Sequence, residues 1–193
     1  QFDMEMWHWN KATIHHAPVT WYYLMPGGKC HLLPDTAGVQ EAVALRRSDI
    51  ISPWIRNGRI EGENMVYSGA SHGNFEFQNI PRFNWSDDMQ VFWKGGKTGD
   101  HLDLFFYSAD SVITRVTAAF TLAPDYGTFR MELNGNPLPG VFNLFNESVT
   151  TREMPLGSLP LRKGRNQLRT VITGTSGHEG KAFFGVDYLR FGE

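Results

Sequence analysis

From Gly58 onward the chain is cut into short β-prone stretches by turn residues about every ten positions, the spacing of an all-β sandwich, and no other pattern constrains the fold as tightly. Candidate strands fall at 59–67, 89–93, 101–107, 111–121, 127–133, 141–144, 150–155, 166–173 and 183–191. The breaks between them carry the right chemistry. Lys94-Gly-Gly, Pro124-Asp-Tyr-Gly127, Asn134-Gly-Asn-Pro137 and Arg162-Lys-Gly-Arg-Asn166 supply residues that accept tight turns and positive φ. In the longest stretch Val112, Thr114, Val116, Ala118 and Phe120 share one face, which makes that face the expected inner one.

The first third reads differently. Trp7, Trp9, Trp21 and Trp54 lie before residue 59, and Trp85 and Trp93 after it. Residues 2–9 alternate two faces, and the run 19–25, rich in aromatic and β-branched residues, stops at Pro26-Gly27-Gly28; together they predict a strand hairpin. Asp35-Thr36 caps a predicted short helix whose apolar stripe runs through Val39, Ala42 and Val43 to Arg46. A hairpin and one helix cannot bury so many tryptophans unaided, because an isolated hairpin is marginal in water. Residues 1–57 are therefore expected to be the tail of a larger β domain, or to dock on another surface, and 58–193 to form one sandwich.

Composition removes several function classes. Eighteen Lys plus Arg against 20 Asp plus Glu give a net charge of −2, so no basic footprint for nucleic acid or an anionic membrane surface exists. A single cysteine, Cys30, forms neither an intrachain disulfide nor a cysteine-based zinc site. No run approaches the roughly 18 apolar residues of a membrane span. His8, His15 and His16 cluster, but adjacent residues of an extended chain point to opposite sides, which argues against a shared metal. Ser111, Ser148 and Ser176 lie in no Gly-x-Ser-x-Gly nucleophile elbow.

Two sets of residues carry possible chemistry. If the first and last strands of the sandwich are neighbours, Glu61, Glu63 and Asp187 converge with backbone carbonyls on one hard cation such as calcium; otherwise they are exposed polar residues between buried neighbours. The second set pairs aromatic rings with polar groups, the combination that stacks on a sugar ring and binds its hydroxyls. Trp85 lies beside Asp87 and Asp88, Asp125 beside Tyr126, and Trp93 closes a strand. For both tryptophans the competing reading is an anchor in the core. Glycoside hydrolysis needs two carboxylates facing one bond, and spacing alone pairs none of these.

Six segments in order resemble the galactose-binding-like jelly rolls, including carbohydrate-binding module families 6 and 35. They are Glu61-Gly-Glu-Asn, Gly99-Asp100-His-Leu-Asp-Leu, the strand 111–121, Leu133-Asn-Gly, the segment 159–168 and Gly185-Val-Asp-Tyr-Leu. The resemblance implies a two-sheet antiparallel β-sandwich, a structural calcium near the first and last strands, and sugar binding at loop edges. Asp3-Met-Glu-Met-Trp-His-Trp9 and Ala17-Pro-Val-Thr-Trp-Tyr-Tyr23 are similar to the closing strands of the domain-of-unknown-function 2961 family, linked with glycoside hydrolase family 172. That likeness implies a larger glycan-processing parent and places no catalytic residue here.

The expected function is a non-catalytic carbohydrate-associated module that binds a polysaccharide or oligosaccharide, or stabilises its parent, in a secreted, periplasmic or cell-surface setting. Two alternatives stay open. One is an enzyme whose active site lies where the hairpin meets the sandwich or between subunits, using Asp3, Glu5, Trp7 or His8. The other is a scaffold for a homo-oligomer.

Overall fold

A computed structural model describes residues 23–29, 52–175 and 180–192. The chain divides into two compact units, Gln1–Ile50 and Ile51–Glu193. In the first, residues 23–25 belong to no strand, and the Gly28 N–H donates to the Met25 carbonyl at 2.8 Å across a turn at Pro26 and Gly27. The rest of the expected hairpin, the expected helix and residues 1–22 with their histidines lie outside the described residues.

The second unit is an all-β, antiparallel sandwich of the jelly-roll kind. Its strands are β1 (Arg59–Glu61), β2 (Val66–Ala70), β3 (Asn74–Asn79), β4 (Met89–Lys94), β5 (His101–Ser108) and β6 (Val112–Leu122). They continue with β7 (Thr128–Leu133), β8 (Asn136–Pro137), β9 (Phe142–Asn143), β10 (Thr150–Leu161), β11 (Gly164–Gly174) and β12 (Phe183–Phe191). One sheet has the order β10-β6-β12-β4-β3, with β1 also on β12; the other runs β2-β5-β11-β7-β8, with β9 on β7. The chain joins this unit before β1, since Ile55 N–H donates to the Tyr107 carbonyl and Tyr107 N–H to that of Pro53.

Apolar side chains from the facing sides of the two sheets fill the space between them. Trp93, Phe120, Phe184 and Val186 come from one sheet, and Leu104, Phe106, Phe129 and Met131 from the other; each is at most 1% exposed. Phe184 and Phe129 meet edge to face at 5.2 Å across the gap.

Several expected strands differ in their ends, each for a physical reason. The run 59–67 is broken by a 3-10 turn at Gly62–Asn64, so its halves join different sheets. The strand expected at 150–155 continues to Leu161 through Pro155 and Pro160, because β10 is an edge strand and can lack ladder donors. On β6, Val116, Ala118 and Phe120 are buried as expected, but Val112 is 47% exposed: β12 pairs no further along β6 than Val116.

Candidate functional site

The site is built on the face of the β12 sheet that points away from the core. Alternation along β4 sends Val91 and Trp93 inward and Gln90 and Phe92 outward, where Gln90 pairs with Gln78 of β3. Between β4 and β6 lies β12, and its outward position there is Gly185, opposite Phe92. A Cβ at Gly185 would stand 2.5 Å from Gln90 Oε1 and 2.8 Å from the Tyr126 hydroxyl oxygen. Glycine therefore opens a trough in the sheet surface, and the ring of Tyr126, which follows β6, packs into it with 4% of its surface exposed.

Gln90 is completely buried in this trough, so its amide needs partners on both ends. Its Oε1 accepts from Thr121 Oγ1 at 2.6 Å, and its Nε2 donates to Gln78 Oε1 at 2.9 Å and to the Tyr126 hydroxyl at 3.3 Å. Burial raises the Tyr126 pKa strongly, which keeps the phenol protonated. Because that oxygen accepts from Gln90, its proton is left to donate elsewhere.

The wall is supplied by the long β3–β4 connection, which holds two 3-10 turns, Pro81–Phe83 and Ser86–Asp88. Asn84 and Asp87 occupy left-handed backbone at φ 52° and 49°, conformations that Asn and Asp tolerate better than other side chains. This path brings Phe83 and Trp85 together at 5.2 Å between ring centres. The result is a cleft of about 140 Å³ walled by Phe83, Trp85, Phe92 and Tyr126, with Gln78 and Asp125 supplying polar groups. The indole N–H of Trp85 is buried without a hydrogen-bond partner among the described residues.

Three of the residues singled out from sequence, Trp85, Asp125 and Tyr126, thus meet in one cleft. Trp93 does not. It was expected as a stacking surface at a strand end, but it is wholly buried between the sheets, with its indole N–H donating to the His72 carbonyl at 2.8 Å. Asp87 and Asp88 do not line the cleft. Gln78, Gln90, Phe92 and Gly185 were not singled out, although a glutamine two positions before a phenylalanine in an apolar strand already marks an outward face of mixed character.

The carboxylates expected at the first and last strands lie at one corner. Strand β12 pairs β4 through residues 183–186 and then β1 through 188–190, and Asp187 occupies the changeover, where the register shifts. Asp187 is 3% exposed, and its Oδ1 accepts from the Ser86 N–H at 3.0 Å. Glu63 is buried in the Gly62–Asn64 turn, which sits so close to β12 that a Cβ at Gly62 would meet the carbonyls of Val186 and Asp187. Burial, with the Glu61, Asp87 and Asp187 charges adding to it, pushes Glu63 up to about 8. Burial likewise pushes Asp187 up to about 7, helped by Glu61 and Asp87. Glu61 is also raised by burial, against the opposing pull of Arg59, whose guanidinium lies 2.6 Å away. Carboxylates suit calcium in kind, but among the described residues no three acidic or histidine side chains are arranged to hold one ion.

A second polar cluster ties the β2–β3 turn to the β4–β5 loop. Asp100 accepts from Ser71 Oγ at 3.0 Å and from the Lys97 N–H at 2.8 Å, and lies 2.8 Å from His72 Nδ1. These residue types suggest a nucleophilic triad, but Ser71 Oγ donates to the carboxylate and accepts from the His101 N–H, so no base faces it. The backbone N–H bonded to Asp100 is the main reason its pKa is lowered.

Two outcomes test this geometry. Gly185→Ala forces a methyl group into the space held by Gln90 and Tyr126, and it should cost about 1–3 kcal/mol in urea unfolding, the usual penalty for overpacking. The acid corner predicts an unusual pH dependence in metal-free buffer. Native Glu63 and Asp187 keep protons that the unfolded chain releases near its ordinary values of 4.5 and 3.8, so stability falls as pH rises from about 5 to 8. Thermal unfolding across that range should show a decline that Glu63→Gln flattens at its upper end. A melting temperature rising toward pH 8 would contradict it.

No protein-family model matches the chain, and no curated protein matches it in sequence. Among solved structures it is similar to a Paenibacillus xanthan lyase, with a TM-score of 0.61 and 13% identity over 71% of this chain and 13% of that one. It is also similar to a family 35 carbohydrate-binding module from Clostridium thermocellum, with a TM-score of 0.47 and 19% identity over 72% of this chain and all of that one. A Podospora anserina mannanase that carries a family 35 module matches at a TM-score of 0.47 and 15% identity, over 71% of this chain and 28% of that one. The chain spans only a small part of the lyase. At these identities the likeness concerns the fold: the described sandwich shares its architecture with a segment of the lyase.

Proposed function

We propose that the sandwich is a carbohydrate-binding module, and that the cleft between the β3–β4 connection and Tyr126 is where it holds sugar. The convergence of Phe83, Trp85 and Tyr126 with Asp125 and the Gln78 amide is the observation that carries this reading. The half-buried Phe83 ring offers a face for the C–H side of a sugar ring, with Trp85 and Tyr126, each 4% exposed, packed beside it, and the carboxylate and amide offer an acceptor and donors for its hydroxyls. Among the cleft-lining residues Asp125 is the one carboxylate, whereas glycoside hydrolysis requires two across the scissile bond. Binding is accordingly the activity this cleft supports.

In this reading the module belongs to a larger glycan-processing protein of the kind the N-terminal resemblance implies, acts outside the cytoplasm, and holds its parent on a glycan. Among the described residues no helix is long and apolar enough to cross a membrane. Structural calcium at the Glu61, Glu63 and Asp187 corner would join the proposal if millimolar calcium raised the melting temperature and a chelator reversed the rise, because a ligand bound only to the native state stabilises it.

Affinity electrophoresis against a panel of neutral polysaccharides tests the reading. At least one should retard the protein, and Phe83→Ala, which removes a half-buried wall of the cleft, should weaken that binding roughly tenfold or more with little change in melting temperature. Equal mobility of the two proteins in every glycan would sink it.

A further inference from the structure

Resting on the carbohydrate reading of this cleft, we propose that it selects one uncharged sugar ring at a chain end or branch, and excludes uronic acids and the interior of a glycan chain. The first ground is size. A volume of about 140 Å³ is less than half the low end of the roughly 300–1,000 Å³ of pockets that enclose drug-sized ligands, a size suited to one ring rather than a run of them. The second ground is shape. Strands supply Gln78, Gln90, Phe92 and Thr121 to the lining, while Phe83 with Trp85 come from one connection and Asp125 with Tyr126 from another. A lining gathered from the strands and two separate connections makes a local hollow, where a run of sugars would need a long groove.

The third ground is charge. Among the lining residues Asp125 is the one carboxylate, and no Lys, Arg or His lines the cleft. Two cations sit against lining rings without lining the cleft themselves: Arg82 is 4.8 Å from the Phe83 ring centre and Lys94 5.7 Å from that of Phe92. Lys94 is also 3.7 Å from Glu76. A uronate carboxylate taken into the cleft would therefore lose water beside Asp125 without a compensating cation, an unfavourable exchange.

The fourth ground is the polarity fixed by the buried amide. Gln90 uses its Nε2 on Gln78 Oε1 and the Tyr126 oxygen, which occupies those acceptors and leaves the Gln78 N–H groups and the Tyr126 O–H as donors. Two donors and the Asp125 acceptor match neutral hydroxyls, each of which both gives and takes a hydrogen bond.

Calorimetric titration of the full chain with methyl glycosides of neutral pentoses and hexoses, the matching methyl uronides, and neutral oligosaccharides of rising length tests the inference. A neutral glycoside should bind, oligosaccharides ending in that sugar should match it within about twofold per molecule, and the uronide should be at least about tenfold weaker. Asp125→Asn removes the like charge with its shape kept, and should shrink the gap between neutral and acidic sugar to under roughly threefold. Affinity that climbs about tenfold from one sugar to four would overturn the single-ring proposal, and a uronide that binds wild type as well as the neutral sugar would overturn the charge selection. Failure of wild type to bind any sugar, of any length or charge, defeats the carbohydrate reading itself, an outcome separate from the other two.

Discussion

The buried Gln90 amide is the interaction on which the rest of the outer face depends. An amide taken out of water without partners costs of order 1–3 kcal/mol, so the residues that satisfy it are held as firmly as core residues. Those partners come from β3, from β6 and from the segment after β6, and they fix the position of Tyr126. Gly185 completes the arrangement by leaving out a side chain where those of Gln90 and Tyr126 need room. A sheet face that would otherwise be open to solvent is turned into a floor with set hydrogen-bond directions.

The loop above that floor does two jobs at adjacent positions. Trp85 faces the cleft, while the N–H of Ser86, the next residue, holds the Asp187 carboxylate at the strand changeover. Removing either support would let the other shift, since the short 3-10 turns and three left-handed residues, Asn84, Asp87 and Asp88, define the path of this loop. Sites of this kind gain precision because the wall is pinned to the sheet on both sides.

Much of the sandwich was legible in the sequence because alternation and turn residues agree there. β12 has the expected bounds, and β5, β6 and β7 differ from theirs by a residue or so. β3 went unread, because Asn74-Phe-Glu-Phe-Gln-Asn79 is bounded by polar residues, and its two phenylalanines are only half-buried at a sheet edge. Adjacency in sequence suggested Trp85 with Asp87 and Asp88, but the left-handed backbone at 87 and 88 turns that stretch of the loop toward the acid corner. Asp125 and Tyr126 were found because they are contiguous with each other. Gln90 and Gly185, which shape the floor, lie 95 positions apart and become neighbours only through the pairing of β4 with β12. A strand-end position suggested an exposed Trp93, whereas β4 is flanked on both sides and covered by the other sheet.

The pairing of β1 with β12 has a mechanical meaning. Arg59 lies opposite Arg190, and the Phe191 N–H donates to the Gly58 carbonyl at 2.7 Å, so the chain enters and leaves this sheet side by side at the same end of an antiparallel pair. Tension applied through the two flanking segments would pull across the ladder rather than along it, and its hydrogen bonds would break in succession from Gly58 inward. The β1–β12 ladder is a zipper of three residue pairs, and beyond it lies the corner where Asp187 and Glu63 are buried. Under load, those carboxylates would be among the first buried groups to meet water.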